Sequence, residues 1–212
     1  MQKPLLTVLA VSLIPAAAQG AIITPTSATA TSSVSGTRTL TETINGNGLS
    51  GGGDPILDQT HASGDAGFNY WLGTTGVTQV LDFTLAGATD VAAVHFWQYH
   101  RTETANGWIN RGLASFDISF STDGVNYGNT VSISGLTGGA GVGFTAPVPV
   151  QTEAFALQSG VTHIRIDNLT NFGDPTWYGA GEFRFDTEPV PEPGSLALLG
   201  LGGVLLAGRR RR

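Results

Sequence analysis

Between residues 54 and 186 apolar and polar side chains alternate in short runs, and each run ends at a cluster of Gly, Asn, Asp or Pro. In residues 113–121, Ala114, Phe116, Ile118 and Phe120 fall on one side, with Ser115, Asp117, Ser119 and Ser121 on the other. A period of two marks a strand buried on one face. The run stops at Thr122-Asp123-Gly124-Val125-Asn126, where Asp-Gly supplies the positive φ of a hairpin turn. Residues 161–169 place Ile164 and Ile166 inward, with His163, Arg165 and Asp167 outward. Phe183 and Phe185 repeat the pattern between outward Glu182, Arg184 and Asp186, and Leu81, Phe83 and Leu85 form a further strip. Residues 91–99 are apolar on both sides, as expected of a covered central strand. No segment among these sustains a 3.6-residue apolar period, so the pattern predicts an all-β fold. Two packed antiparallel sheets, a sandwich, bury such strips most economically.

The two ends break the pattern. Lys3 precedes an apolar stretch from Leu5 to Ala18 that finishes in Ala16-Ala17-Ala18. This is the layout of a cleaved signal peptide over residues 1–20, with Gln19 or the residue after Gly20 as the new N-terminus. At the other end Pro191-Glu192-Pro193 precedes an uncharged run, 195–208, and then Arg209, Arg210, Arg211 and Arg212. The prolines fix φ and lack amide donors, so they end the preceding strand. Fourteen helical residues would span ~21 Å, short of the ~30 Å hydrocarbon core, which suits transient residence better than a permanent anchor. The arginines would hold the C-terminus at the cytoplasmic face. Residues 190–212 resemble the PEP-CTERM sorting signal of Gram-negative bacteria. That resemblance implies export across the inner membrane, passing anchorage by a short transmembrane helix, and cleavage by an exosortase near Pro-Glu-Pro. The product would be released to the outer envelope or extracellular matrix.

With both ends set aside as targeting segments, residues 21–53 are a Thr/Ser/Gly-rich lead with a possible first strand, and 54–187 are one domain's worth of sandwich. Residues 24–39 lack core-forming side chains and read as a flexible lead or weak edge strand. No cysteine is present, so neither disulfides nor thiolate metal sites hold the chain together. From 21 to 188 five arginines and no lysine face fifteen acids, an excess of ten negative charges. That balance disfavours nucleic acid as a partner.

The run VTQVLDFTLAGATDVAAVHFWQYH, then RGLASFDISFSTDGVNYG, VTHIRIDNLTN and GAGEFRFD, resembles the discoidin, or coagulation factor 5/8 type C, domain over about residues 54–186. The resemblance implies a galactose-binding-like jelly roll, with Trp71-Leu72 as core. It also implies a glycan or envelope polymer bound by loops at one end, and a structural Ca2+. The ion's matching ligands would be Asp58 and Glu182, with Thr60 or Asp65 as additions. A hard cation suits such oxygen donors. Asp58 and Asp65 equally suit a purely turn-forming role, since Asp bonds its own backbone.

The loop from His100 to Gly112 is too long for a hairpin turn, and connections of that length are usually functional or mobile. It carries Arg101, Glu103, Asn106, Trp108, Asn110 and Arg111, and Trp177 and Tyr178 precede the last strand. An indole plane with Arg and Asn donors complements the C–H face and hydroxyl edge of a sugar. Arg101, Asn106, Trp108, Arg111, Trp177 and Tyr178 are therefore the candidate ligand residues. The alternative is that Trp108 folds back as a lid on the core. Catalysis has no signature in the histidines, since the four show no metal spacing. His95 and His163 read as hydrogen-bonded sheet histidines. Three functions stay open: an exported, non-catalytic glycan-binding module, a self-associating structural matrix protein, or a small glycan-active enzyme. The first is favoured.

Overall fold

The described residues form eight strands, and two of them are far longer than the usual five or six residues: β4, Leu81–Gln98, and β7, Val150–Asn171. The computed structural model describes residues 20–51, 56–62, 69–101, 108–138 and 148–187, all within the unit Gly20–Pro189. The expected signal helix, the Pro-Glu-Pro turn, the apolar tail and the arginine block lie outside the described residues. β4 and β7 pair antiparallel from Leu81↔Ile166 to Trp97↔Val150, with register shifts between Thr84 and Ala93. Bulges of this kind bend a ribbon and increase its twist. Gly160, at φ +68, gives β7 its bend, and its N–H donates to Asp90 Oδ1 at 3.0 Å.

The bent pair belongs to both layers. Its Leu81 and Ile166 end joins β2 (Ser27–Ala30), β5 (Leu113–Ser121) and β6 (Gly128–Ser134). Its Trp97 end joins β8 (Trp177–Asp186), whose outer edge carries β1 (Ile22–Ile23) and β3 (Trp71–Thr74). The hydrogen-bonded path runs β1-β8-β4-β7-β5-β6. The result is the expected antiparallel sandwich.

Between the layers lie the apolar strips the alternation predicted. Phe183 of β8 stacks on Phe96 of β4 at 4.8 Å and meets Phe83 edge-on at 5.3 Å and Phe116 at 6.3 Å. Ile118, Ile164, Ile166 and Trp71 are fully buried beside them, and Leu72 is buried on the opposite face of β3. At the β5–β6 turn Asp123 accepts from the amides of Val125 and Asn126, both at 2.8 Å, and from Ser121 Oγ at 2.9 Å. These donors hold its carboxyl well below the usual carboxylate range.

Of the two readings of residues 24–39, the edge strand is the one observed: β2 pairs with β4, Ala28 is buried, and Leu40 follows in a buried 3-10 turn. Backbone pairing supplies the order that side-chain composition lacked. Two other expectations need correction. Glu182, Arg184 and Asp186 are not outward in solvent; they are 0, 3 and 2 % exposed. Their face of β8 is covered by the turn Leu40–Thr43 and the chain after it, from which Gly46 N–H donates to Glu182 Oε1 at 3.1 Å. Arg184 forms an ion pair with Glu182 and donates to Phe183 O at 2.7 Å. His95 lies on the same face, its Nδ1 against Thr152 Oγ1 at 2.9 Å and its Nε2 3.5 Å from Asp186. It is a bonded sheet histidine, as read from the sequence. Ser119 and Ser121, also expected outward, are buried too, Ser121 because its hydroxyl caps the turn.

The two ends of the unit are fastened together. Ala21 N–H donates to Thr187 Oγ1 at 3.0 Å, and Thr187 N–H returns to Ala21 O at 3.3 Å.

Burial pushes the Glu182 carboxyl up to about 7, with Arg184 and the Gly46 amide pulling the other way. A raised carboxyl pKa contributes stability that is complete below its unfolded value and is lost as pH rises through the folded one. His61 and His95 are pushed down by burial, so their contribution has the opposite sign, present above their ordinary value and lost as pH falls. Glu182→Gln isolates the first effect. Its stability relative to wild type should rise between pH 5 and 7.5 by on the order of 2 kcal/mol in urea titrations. Parallel pH profiles for the two proteins would contradict this account.

Candidate functional site

The strand directions bring the long connections to one end. The 75–80, 99–112, 135–149 and 172–176 connections all leave from the end of the sandwich marked by Leu81, Gln98, Leu113 and Trp177, while the β5–β6 turn and both bends lie at the other. Arg101, Trp108, Arg111, Trp177 and Tyr178 therefore share one end. Asn106 and Glu103 lie outside the described residues.

Trp108 opens a 3-10 turn, Trp108–Arg111, and its half-buried indole carries the Arg101 guanidinium 3.8 Å above the ring centre, with that of Arg111 at 5.2 Å. Ile109, not Trp108, is the residue that packs down into the protein. Arg111 is fixed from the far side, its Nε donating to Asp174 Oδ2 at 3.1 Å. Asp174 also accepts from the amides of Thr176 at 2.8 Å and Trp177 at 2.9 Å. Asn171 Nδ2 donates to the carbonyls of Asp174 and Trp177, and Phe172 N–H to Asn110 O at 3.0 Å. The two connections are thus laced into one surface. Chemically it offers an aromatic plane flanked by planar guanidinium donors, a set suited to stacking and hydroxyl recognition. Trp177 and Tyr178 are half-buried at the start of β8, opposite Thr74 and Gly73 of β3.

Behind this surface sits a polar aromatic cluster that the strand pattern did not single out. Tyr99 meets Tyr70 edge-on at 4.9 Å, and burial pushes its hydroxyl up to about 12, offset in part by Arg111. A side chain at Gly179 would come within 2.7 Å of the Tyr99 ring, so the close approach requires glycine. Buried His61 and His100 lie near enough to influence each other's charge. The available signals were the end of the apolar run at Tyr99-His100, the Gly-Ala-Gly before the last strand, and Asp174-Pro175 as a turn former.

The residues matched to a calcium ion are divided. Asp58 is exposed at the end of a 3-10 turn, Ile56–Asp58. The carbonyl of the next residue, Gln59, accepts from Trp97 Nε1 at 2.9 Å, and Trp97 lies opposite Glu182 in the β4–β8 register. The turn and the last strand are therefore linked through one indole. Glu182 has its Oε1 on Gly46 and Arg184, while Oε2 is buried without a hydrogen-bond partner. That single oxygen suits a cation; the Arg184 guanidinium already neutralises its charge. Among the described residues no three His, Asp or Glu side chains come together as a metal cluster. Thr60 N–H donates to Ser50 Oγ, and Asp65 lies outside the described residues.

Residues 189–212 match the PEP-CTERM protein-sorting motif. No curated protein matches the chain in sequence. Among solved structures, a fucose-binding module of Streptococcus pneumoniae is 12% identical with a TM-score of 0.52, covering 80% of this chain and 96% of that one. The lectin domain of lectinolysin complexed with Lewis B antigen is 13% identical with a TM-score of 0.51, over 76% and 92%. The CBM32 of AlyQ in complex with 4,5-unsaturated mannuronic acid is 20% identical with a TM-score of 0.50, over 79% and 99%. The body therefore has the galactose-binding-like fold that the sequence resemblance implied, joined to a PEP-CTERM sorting motif.

Asp174 holds the surface together by charge and by capping, and the two roles separate. Asp174→Asn retains acceptors for the Thr176 and Trp177 amides but leaves Arg111 without its counter-charge. Asp174→Ala loses both, with an expected cost of about 2–4 kcal/mol in chemical denaturation and a smaller cost for the Asn variant. Equal stability of all three proteins would refute the assignment.

Proposed function

We propose that the protein is an exported, non-catalytic glycan-binding module whose binding surface is the end of the sandwich where residues 108–112 meet the 172–176 connection. The observation that carries this reading is the Trp108 ring stacked with Arg101 and locked through Arg111 to Asp174. A sugar presents one apolar C–H face and a rim of hydroxyls, and a guanidinium stacked on an indole answers both, the first donating to hydroxyls and the second giving apolar contact. Ordering these side chains before the ligand arrives lowers the entropic cost of binding. The structural neighbours that are lectin, fucose-binding and mannuronate-bound modules support the same class of ligand, and the PEP-CTERM motif supports a destination among envelope or matrix polysaccharides. In this reading the motif is the handle for an exosortase and the membrane holds the tail in passing.

The structural-matrix alternative has less support. Among the described residues the exposed large apolar side chains are Val34, Val77, Val125 and Leu157, scattered over separate elements rather than gathered as a self-association patch. A glycan-active enzyme would need a juxtaposed acid pair. The buried acids of the described body are instead committed to Arg184, His95 and Arg111.

Affinity-gel electrophoresis with polysaccharides from a Gram-negative envelope tests the function. Wild type should be retarded, and Trp108→Ala and Arg101→Ala should migrate at least several-fold closer to the no-polysaccharide control. Retardation unchanged in both variants removes this surface from the reading, and concentration-dependent oligomerisation without any retardation favours the matrix role.

The structural calcium belongs to the same reading as a separate proposal. Asp58 and Glu182 Oε2 would hold it, and its contribution would be to tie the Ile56–Asp58 turn to β8. Calcium should then raise the melting temperature by a few degrees and EDTA should reverse the gain. An unchanged melt refutes the ion.

A further inference from the structure

The 172–176 connection has a second side. Away from Asn110 it is bonded to the β3–β4 connection, with Thr75 N–H donating to Thr176 O at 2.9 Å and Thr75 Oγ1 to Pro175 O at 2.6 Å. Between that connection and the end of β7 is a solvent-open cavity of about 350 Å³, lined by Thr75, Val77, Thr78, Asn168, Leu169 and Tyr178 among others. We infer that this cavity is a second glycan subsite, distinct from the Trp108 surface, and that it takes a single neutral sugar ring. The inference rests on the glycan-binding reading above and assigns the ligand class to a place that reading does not use.

Size and lining argue for it together. The volume lies at the small end of ligand pockets, ~300–1,000 Å³, and suits one ring rather than a chain of them. Tyr178, Leu169 and Val77 give an apolar wall for a sugar's C–H face. Thr75, Thr78 and Asn168 give hydroxyl and amide groups for its rim. Val77 is 45% exposed, an apolar side chain left at the mouth of a polar cavity.

The cavity is built before any ligand arrives. Gln79, 2% exposed, donates from Nε2 to Ser32 Oγ and to Thr74 O, both at 2.7 Å, and accepts from Ser32 N–H at 3.2 Å. With Thr75 tied to the 172–176 connection, the short β3–β4 link is clamped at both ends. On the opposite wall Asn168 holds φ +49, a left-handed conformation that costs a side-chain-bearing residue energy and that its setting must maintain. Its Nδ2 donates to Asp117 Oδ2 at 3.1 Å, which turns the amide oxygen the other way.

Charge selects a neutral ligand. No lining side chain carries a charge, and the charged groups beside Asn168 on its wall are negative. Asp117 is bonded to Asn168, and Asp167 lies opposite Asp117 in the β5–β7 register. Arg165, the cation of that face, is committed to Asp82 through two hydrogen bonds at 2.8 and 3.0 Å. A uronate or sulfated sugar would meet this field without a positive partner.

Saturation-transfer NMR and calorimetric titration of the full chain with the methyl pyranosides of galactose, glucose, mannose and fucose, and with glucuronate, test the inference. At least one neutral pyranoside should bind. Val77→Trp, which fills the mouth from an exposed position, should weaken it at least tenfold, and Tyr178→Ala should do the same by removing the wall. Glucuronate should bind at least tenfold more weakly than the best neutral sugar. The subsite is overturned if no neutral pyranoside binds, if both cavity variants bind like wild type, or if glucuronate binds equally well. Any of these results, with polysaccharide retardation by the Trp108 surface intact, leaves the glycan-binding function standing. Loss of retardation in the wild type with pyranoside binding intact removes the Trp108 surface and keeps the cavity.

Discussion

The antiparallel pairing of β4 with β7 is the constraint from which the rest of the body follows. A flat pair of that length would extend beyond any core this chain can fill. The register shifts between Thr84 and Ala93, with Gly160 at the bend of the partner, fold the ribbon over so that each strand serves both layers. The two layers are therefore positioned by continuous backbone hydrogen bonding as well as by side-chain contact. Phe83 and Phe96 lie on either side of that bend on one strand, and both reach Phe183. Local pairing and burial agree at each position, which is what a uniquely folding sequence requires.

Once the ribbon is bent, the division of labour between the two ends is settled. Tight turns occupy one end, where Asp123 satisfies the amides of its own turn. The described parts of the long connections lie at the other, where polar lacing joins them over a few buried side chains such as Tyr99 and Ile109. Asp174 bonds Arg111 and two amides, and Thr75 bonds the chain on either side of Pro175. The stability of this end is electrostatic and hydrogen-bonded, while that of the middle is hydrophobic.

Period-two alternation made the inner faces legible. Leu81, Phe83, Ile118, Ile164, Ile166, Phe183 and Phe185 are buried where the pattern put them. The outer face of β8 was illegible for a physical reason. Glu182, Arg184 and Asp186 have the composition of a solvated face, and only the overlying chain from Leu40 to Gly46, distant in sequence, makes it an interior. The same holds for β2, whose Ser-Ala-Thr-Ala carries little hydrophobic signal because backbone pairing to β4 orders it and only its two alanines pack on the core. At the loop end Trp108 and its arginines were legible as a group, since residue type and loop length both pointed there. Asp174, Tyr70, His61 and the cavity beside Tyr178 were not, because each depends on which connections lie side by side, and one-dimensional spacing does not encode that.

The mutual bonds of Ala21 and Thr187 carry a geometric consequence. β8 starts among the long connections at Trp177 and finishes at Asp186, beside Ile22, at the opposite pole of the sandwich. The match to the sorting motif begins at residue 189, just past that clasp. The backbone therefore leaves the sandwich, after Thr187, at the pole farthest from Trp108.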